Sequence, residues 1–89
     1  MSFKTVKIKD VKHEIGQLVK QNRKQQRLSQ QDLGDLLDLS RLTIQNLERG
    51  NNFTIDTLLK ILQHFELLSE LNAFITDQQK TTTTVKSLY

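Results

Sequence analysis

The chain has no cysteine, no proline and no tryptophan among its 89 residues, and only three glycines. Without cysteine, neither a disulfide framework nor a thiolate metal site is available. Without proline there is no proline-rich linker, and no internal repeat or composition shift marks a second domain. No apolar run approaches the roughly 20 residues of a membrane span, and the opening MSFKTVKIKD lacks the apolar core of a secretion signal. A cytoplasmic protein is the expectation. Catalytic constellations are missing as well. His13 and His64 lie far apart with no close acidic cluster, and no Gly-rich phosphate loop or Ser/His/Asp spacing occurs. Asp32 and Asp35 are helical neighbours on a capped, solvated face. No catalytic residue, metal ligand or cofactor is expected, and the chain does not read as an enzyme.

Negative charge is scarce in the first third. Residues 1–30 carry Lys4, Lys7, Lys9, Lys12, Lys20, Arg23, Lys24 and Arg27 against only Asp10 and Glu14. The remainder carries an acidic excess, so the formal net charge is only +3. A basic half of this kind suits phosphate contacts; a lysine-rich solvated surface would also produce it. A chain this short buries only about 60 to 65% of its unfolded surface, so one domain supplemented by oligomerisation is expected.

Five helices can be read from caps and periodicity. The first spans about Asp10 to Gln25, with Val11, Ile15, Leu18 and Val19 as its buried stripe. Ser29, with Asp32 three residues on, starts a second helix in which Leu33, Leu36 and Leu37 form the apolar face. Asp38 tolerates a left-handed turn, and Ser40 caps a third helix from Arg41 to Arg49 that Gly50 can end. Ile44 and Leu47 face inward, leaving Arg41, Leu42, Gln45 and Asn46 on the other side. Thr54 caps a fourth helix with Ile55, Leu58, Leu59, Ile61, Leu62 and Phe65 as its apolar set. Periodicity weakens over residues 66–69, and Ser69 can start a fifth helix bearing Leu71, Phe74 and Ile75. Residues 67–76 are equally open to a dimer-forming strand. Residues 3–8 alternate as a short strand or disordered arm would. The threonine-rich end reads as a flexible tail able to order as an extended strand.

The run from Leu28 to about Leu67 resembles the Cro/repressor (XRE-like) class of helix-turn-helix domains. Leu28, Ser29, Gln30, Leu33, Leu39, Ser40, Ile44, Glu48 and Gly50 fall in register on its fixed points, as do Thr57, Leu58, Leu59 and Ile61 in the next helix. Two positions depart: Gly34 stands where a small alanine is usual, and Asp38 where the turn glycine is usual. The resemblance implies an all-α, five-helix, lambda-repressor-like bundle. Its basic N-terminal arm would cover residues 1–9, the DNA-binding domain 10–77 with the helix-turn-helix at 29–49, and the flexible C-terminal tail 78–89.

The same resemblance implies sites. Arg41, Leu42, Thr43, Gln45 and Asn46 fall on positions that read bases in the major groove, where donors and acceptors differ for every base pair. Gln30 and Ser40, with Lys20, Lys24, Asn51 and Asn52, are the phosphate candidates. Arg23 and Glu48 match positions that form a structural ion pair. The expected partner is a palindromic double-stranded DNA operator bound by a homodimer in the bacterial cytosol or nucleoid. Small size and a C-terminal extension also resemble HipB-type antitoxins, which repress their own operon and bind a HipA-type kinase toxin. A free-standing phage or plasmid-type repressor fits the same residues, and so does a protein-interaction module that reads no bases.

Overall fold

The computed structural model describes residues 5–87, with side-chain surroundings for residues 5–82. Within them the chain forms α1 (Ile8–Gln25), α2 (Gln30–Leu37), α3 (Arg41–Glu48), α4 (Ile55–His64) and α5 (Leu68–Ser87). Helix starts follow the sequence closely. Ser29 Oγ accepts the Asp32 N–H at 2.9 Å while the Asp32 carboxylate accepts the Ser29 N–H at 2.9 Å, a reciprocal capping box. Ser40 Oγ accepts from Thr43 N at 3.1 Å, and Thr54 Oγ1 from Thr57 N at 3.2 Å. The first helix begins at Ile8, two residues before the expected Asp10, because the Lys7 N–H is held by the Asp10 carboxylate at 3.0 Å.

The first four helices end by one device. Arg27, Asp38, Gly50 and Glu66 each take a left-handed φ, between 57° and 79°. The residue after each then donates its N–H back five residues: Leu28 to Arg23 O, Leu39 to Gly34 O, Asn51 to Asn46 O and Leu67 to Leu62 O. This is the Schellman closure, which satisfies helix-end carbonyls and usually carries a hydrophobic contact. Leu28, Leu39 and Leu67 supply that contact, since all three pack on the core. Only one of the four left-handed residues is glycine.

The core comprises Val19, Leu33, Ile44, Leu47, Ile61 and Phe65, with Ile15, Leu28, Leu37, Leu39, Phe53 and Leu67 packed around it. Several expected stripe members lie outside it: Val11, Leu18, Leu36 and Ile55 are exposed. The buried face of α1 is narrower than its hydrophobic pattern, because glycine and arginine occupy two of its inward positions. A Cβ on Gly16 would stand 2.5 Å from the Glu48 carbonyl oxygen and 2.8 Å from that of Leu47, so α1 lies directly on the last turn of α3. Gly34 has a similar reason: its missing Cβ would meet the Leu39 carbonyl at 2.5 Å.

The C-terminal region differs most from expectation. Of residues 67–76, all but Leu67 belong to a helix and not a strand, and α5 runs on through residues 78–87, which were expected to form a flexible or extended tail. The expected tail's last two residues, 88 and 89, lie outside the described residues, as does the start of the N-terminal arm, residues 1–4. Residues 5–7 have no regular structure, and Ile8, counted in the arm, already belongs to α1. Threonine is a poor helix former by propensity. Here Thr76 donates to Ala73 O at 3.1 Å, Thr81 to Asp77 O at 3.2 Å and Thr82 to Gln78 O at 3.0 Å, so each hydroxyl is satisfied by a carbonyl of the preceding turn.

Two substitutions test this packing. Gly16→Ala gains about 1 kcal/mol of helix propensity but forces α1 off α3; the net effect expected in denaturant unfolding is a loss of about 1–2 kcal/mol. Glu66→Gly removes a left-handed strain and should raise stability by about 0.5–1 kcal/mol, after the extra freedom of glycine in the unfolded chain. An unchanged or lowered unfolding midpoint for Glu66→Gly would contradict the strain argument.

Candidate nucleic-acid interface

The third helix has two sharply different faces. Ile44 and Leu47 are fully buried and Glu48 nearly so, which fixes the inward side against α1 and α2. On the other side Arg41 is exposed and Leu42 is 61% exposed. Thr43, Gln45 and Asn46 are half-buried. The Thr43 hydroxyl lies 2.8 Å from the Ser40 hydroxyl, so this pair completes the cap of α3. Asn46 receives the Asn51 N–H on its carbonyl, which leaves its side chain outside the closure of the helix.

Behind that face lies a buried polar network. Arg23 Nε donates to Glu48 Oε2 at 2.6 Å and Nη2 to Oε1 at 3.0 Å, with both residues less than 10% exposed. The third guanidinium nitrogen, Nη1, donates to the Leu28 carbonyl at 2.8 Å. Gln30 Nε2 adds a further bond to Glu48 Oε1 at 3.1 Å. No buried side-chain nitrogen or oxygen among the described residues lacks a partner. Such a bidentate pair offsets its desolvation without adding much net stability, but loss of one member would leave a buried charge costing about 3–5 kcal/mol. The network ties the ends of α1 and α3, the start of α2 and the α1–α2 turn into one unit.

The other candidates are spread around α3. Ser40 and Gln30 stand at the starts of α3 and α2; Lys20 and Lys24 lie on α1, the first half-buried and the second exposed. Asn51 and Asn52 are exposed in the α3–α4 loop. Asn52 Oδ1 accepts a 2.6 Å bond from Lys12 Nζ, a residue absent from the sequence-derived site. Two further features went unread in the sequence: the Gly16 contact, and the bond from Gln30 to Glu48. A lone glycine in a strongly amphipathic helix, seven residues before an inward arginine, is the one signal that pointed to a close crossing.

Among the described residues no helix is long and apolar enough to cross a membrane. No group of three or more metal-ligating side chains occurs among them either. What the geometry defines is two short helices joined by a three-residue turn, the second locked at its far end and exposed at its near end: a helix-turn-helix unit. A protein-family model described as Helix-turn-helix matches residues 19–70, more than half of the chain. The chain belongs to this family, in its XRE-type branch, and is a DNA-binding transcription regulator. No curated protein matches it.

The capping box at the start of α2 carries a pH signature. Hydrogen bonds from the Ser29 backbone N–H and then the Ser29 hydroxyl hold the Asp32 carboxyl below its usual range. A depressed folded pKa contributes stability that is complete above the unfolded value, about 4, and disappears as pH falls through the folded one. Unfolding measurements on the wild type and Asp32→Asn should therefore differ by a constant amount from pH 5 upward and converge toward pH 2. A difference that persists unchanged at pH 2 would remove the carboxylate from the cap.

Proposed function

We propose that the protein is a sequence-specific repressor that binds a palindromic operator as a homodimer, with Arg41, Leu42, Thr43, Gln45 and Asn46 at the base edges. The observation that carries this reading is the exposure of Arg41 and Leu42 on the first turn of α3 while its last turn is clamped. An α-helix entering the major groove contacts bases chiefly through its N-terminal residues. Arg41 suits a guanine, Gln45 or Asn46 an adenine, and Leu42 a thymine methyl. Gln30, Ser40, Lys20, Lys24, Asn51 and Asn52 then contact the flanking phosphates, and a two-fold dimer sets two α3 helices about 34 Å apart.

A finer reading makes the protein an antitoxin of the HipB type, paired with a HipA-type kinase toxin. It is supported by α5, which carries Phe74 at 62% and Ile75 at 45% exposure beside a shallow apolar groove formed with Leu59, Leu68 and Leu71. Such a surface serves a second copy of the chain or a toxin equally well. Co-purification with the product of an adjacent gene separates the antitoxin from a free-standing repressor.

Selection of a preferred duplex from a random library, followed by titration, tests base reading. Arg41→Ala should weaken binding to the selected duplex by about 1–3 kcal/mol and relax preference at one base pair. Equal wild-type affinity for selected and random duplexes would defeat the reading.

A further inference from the structure

The Lys12–Asn52 contact has no structural task comparable to that of Arg23–Glu48. It is exposed, it joins residues 40 apart in sequence, and it brings a cation onto the loop that directly follows the reading helix. With Lys12 Nζ bonded to Asn52 Oδ1 at 2.6 Å, two ammonium N–H groups and both Asn52 Nδ2 hydrogens remain as donors at one spot. Beneath it the loop is held against α1, because a Cβ on Gly50 would meet the His13 backbone at 3.4 Å. Asp10, the acid nearest Lys12 on the N-terminal side, is occupied by the Lys7 N–H.

From this placement we propose, on the basis of the DNA-binding reading above, that Lys12 and Asn52 form a second phosphate clamp on the side of α3 away from Gln30. The helix α1 crosses the end of α3 with Arg23 toward Gln30 and Lys12 toward Asn52, both anchored through α3 or its following loop. Eleven residues separate Lys12 from Arg23 in the chain, which at the helical rise is about 16 Å along the axis. The major groove is about 12 Å wide. In the proposed arrangement Gln30 meets one strand and the Lys12–Asn52 pair the other, with α3 between them; a spacing of this order along α1 is long enough to span the groove. Asn52 holds the ammonium in place and adds a neutral donor; Lys12 supplies the charge.

Binding of a labelled random-sequence 25-base-pair duplex across a salt series tests the clamp. Lys12→Gln should lower the slope of log affinity against log salt by about 0.9, equivalent to roughly eight-fold weaker binding at 0.1 M salt, one counterion's worth. Asn52→Ala should weaken binding with the slope unchanged, Lys12→Arg should keep the wild-type slope, and Lys80→Gln, on α5, should alter neither quantity. A loss of stability alone cannot produce a changed slope at saturating folded protein. Wild-type slope and affinity in Lys12→Gln overturn the clamp and leave DNA binding intact, whereas a wild type that binds no duplex overturns both.

Discussion

Two opposite charges, Arg23 and Glu48, meet in the interior at 2.6 Å, one near the end of α1 and the other on the last residue of α3. Neither tolerates the interior alone, so each requires the other in one geometry. The Gly16 contact, two turns earlier on the same face of α1, removes the remaining freedom by placing helix backbone on helix carbonyls. A short reading helix of eight residues could not hold its own angle through hydrophobic packing alone. Ile44 and Leu47 define which face points inward, but apolar contacts are non-directional and permit sliding. The ion pair and the glycine crossing convert a packed helix into an oriented one. Gln30, bonded to the same carboxylate, joins the start of α2 to that orientation.

The parts of the fold that were legible in the sequence are those set by local chemistry. Ser29, Ser40 and Thr54 announce helix starts through hydroxyls with few other uses, and Asp38 announces a turn. Arg23 and Glu48 were placed by family register, and the pair is present in the fold. Burial was less legible, because hydrophobicity marks what can be buried and not what is. Leu36 comes three residues after buried Leu33 and Ile55 three before buried Leu58, yet both remain in solvent. Leu42 had been placed outward by its helical phase, and it lies there. The remainder depended on pairings distant in sequence. Lys12 meets Asn52 only because Gly16 allows α1 to cross α3 so closely, and no periodicity contains that information.

The C-terminal helix shows the opposite failure. Four consecutive threonines argue against helix by intrinsic preference, yet α5 continues through them. The hydroxyls of the first two, Thr81 and Thr82, return to carbonyls of the preceding turn, replacing solvent as the partner. Among the described residues α5 is mostly exposed from its second turn on, where Phe74 and Ile75 remain largely uncovered. A helix of this length, about 30 Å, with weak propensity and no underlying core, places its stability in whatever it meets.

The Schellman closures at Arg27 and Asp38 give the molecule an unusual sensitivity to chain length. In each, the residue that closes the helix is followed at once by a leucine anchored in the core, and then by the serine that caps the next helix. Stop, anchor and restart occupy consecutive residues with no slack between them. A single inserted residue in either turn would rotate the following helix by about 100° and carry its polar face into the core. The same insertion between Asn51 and Thr54, where the chain is not so tightly phased, would shift α4 without turning the reading helix. The regulator is thus free to vary its surface residues one at a time, while its first three helices are permitted essentially one spacing.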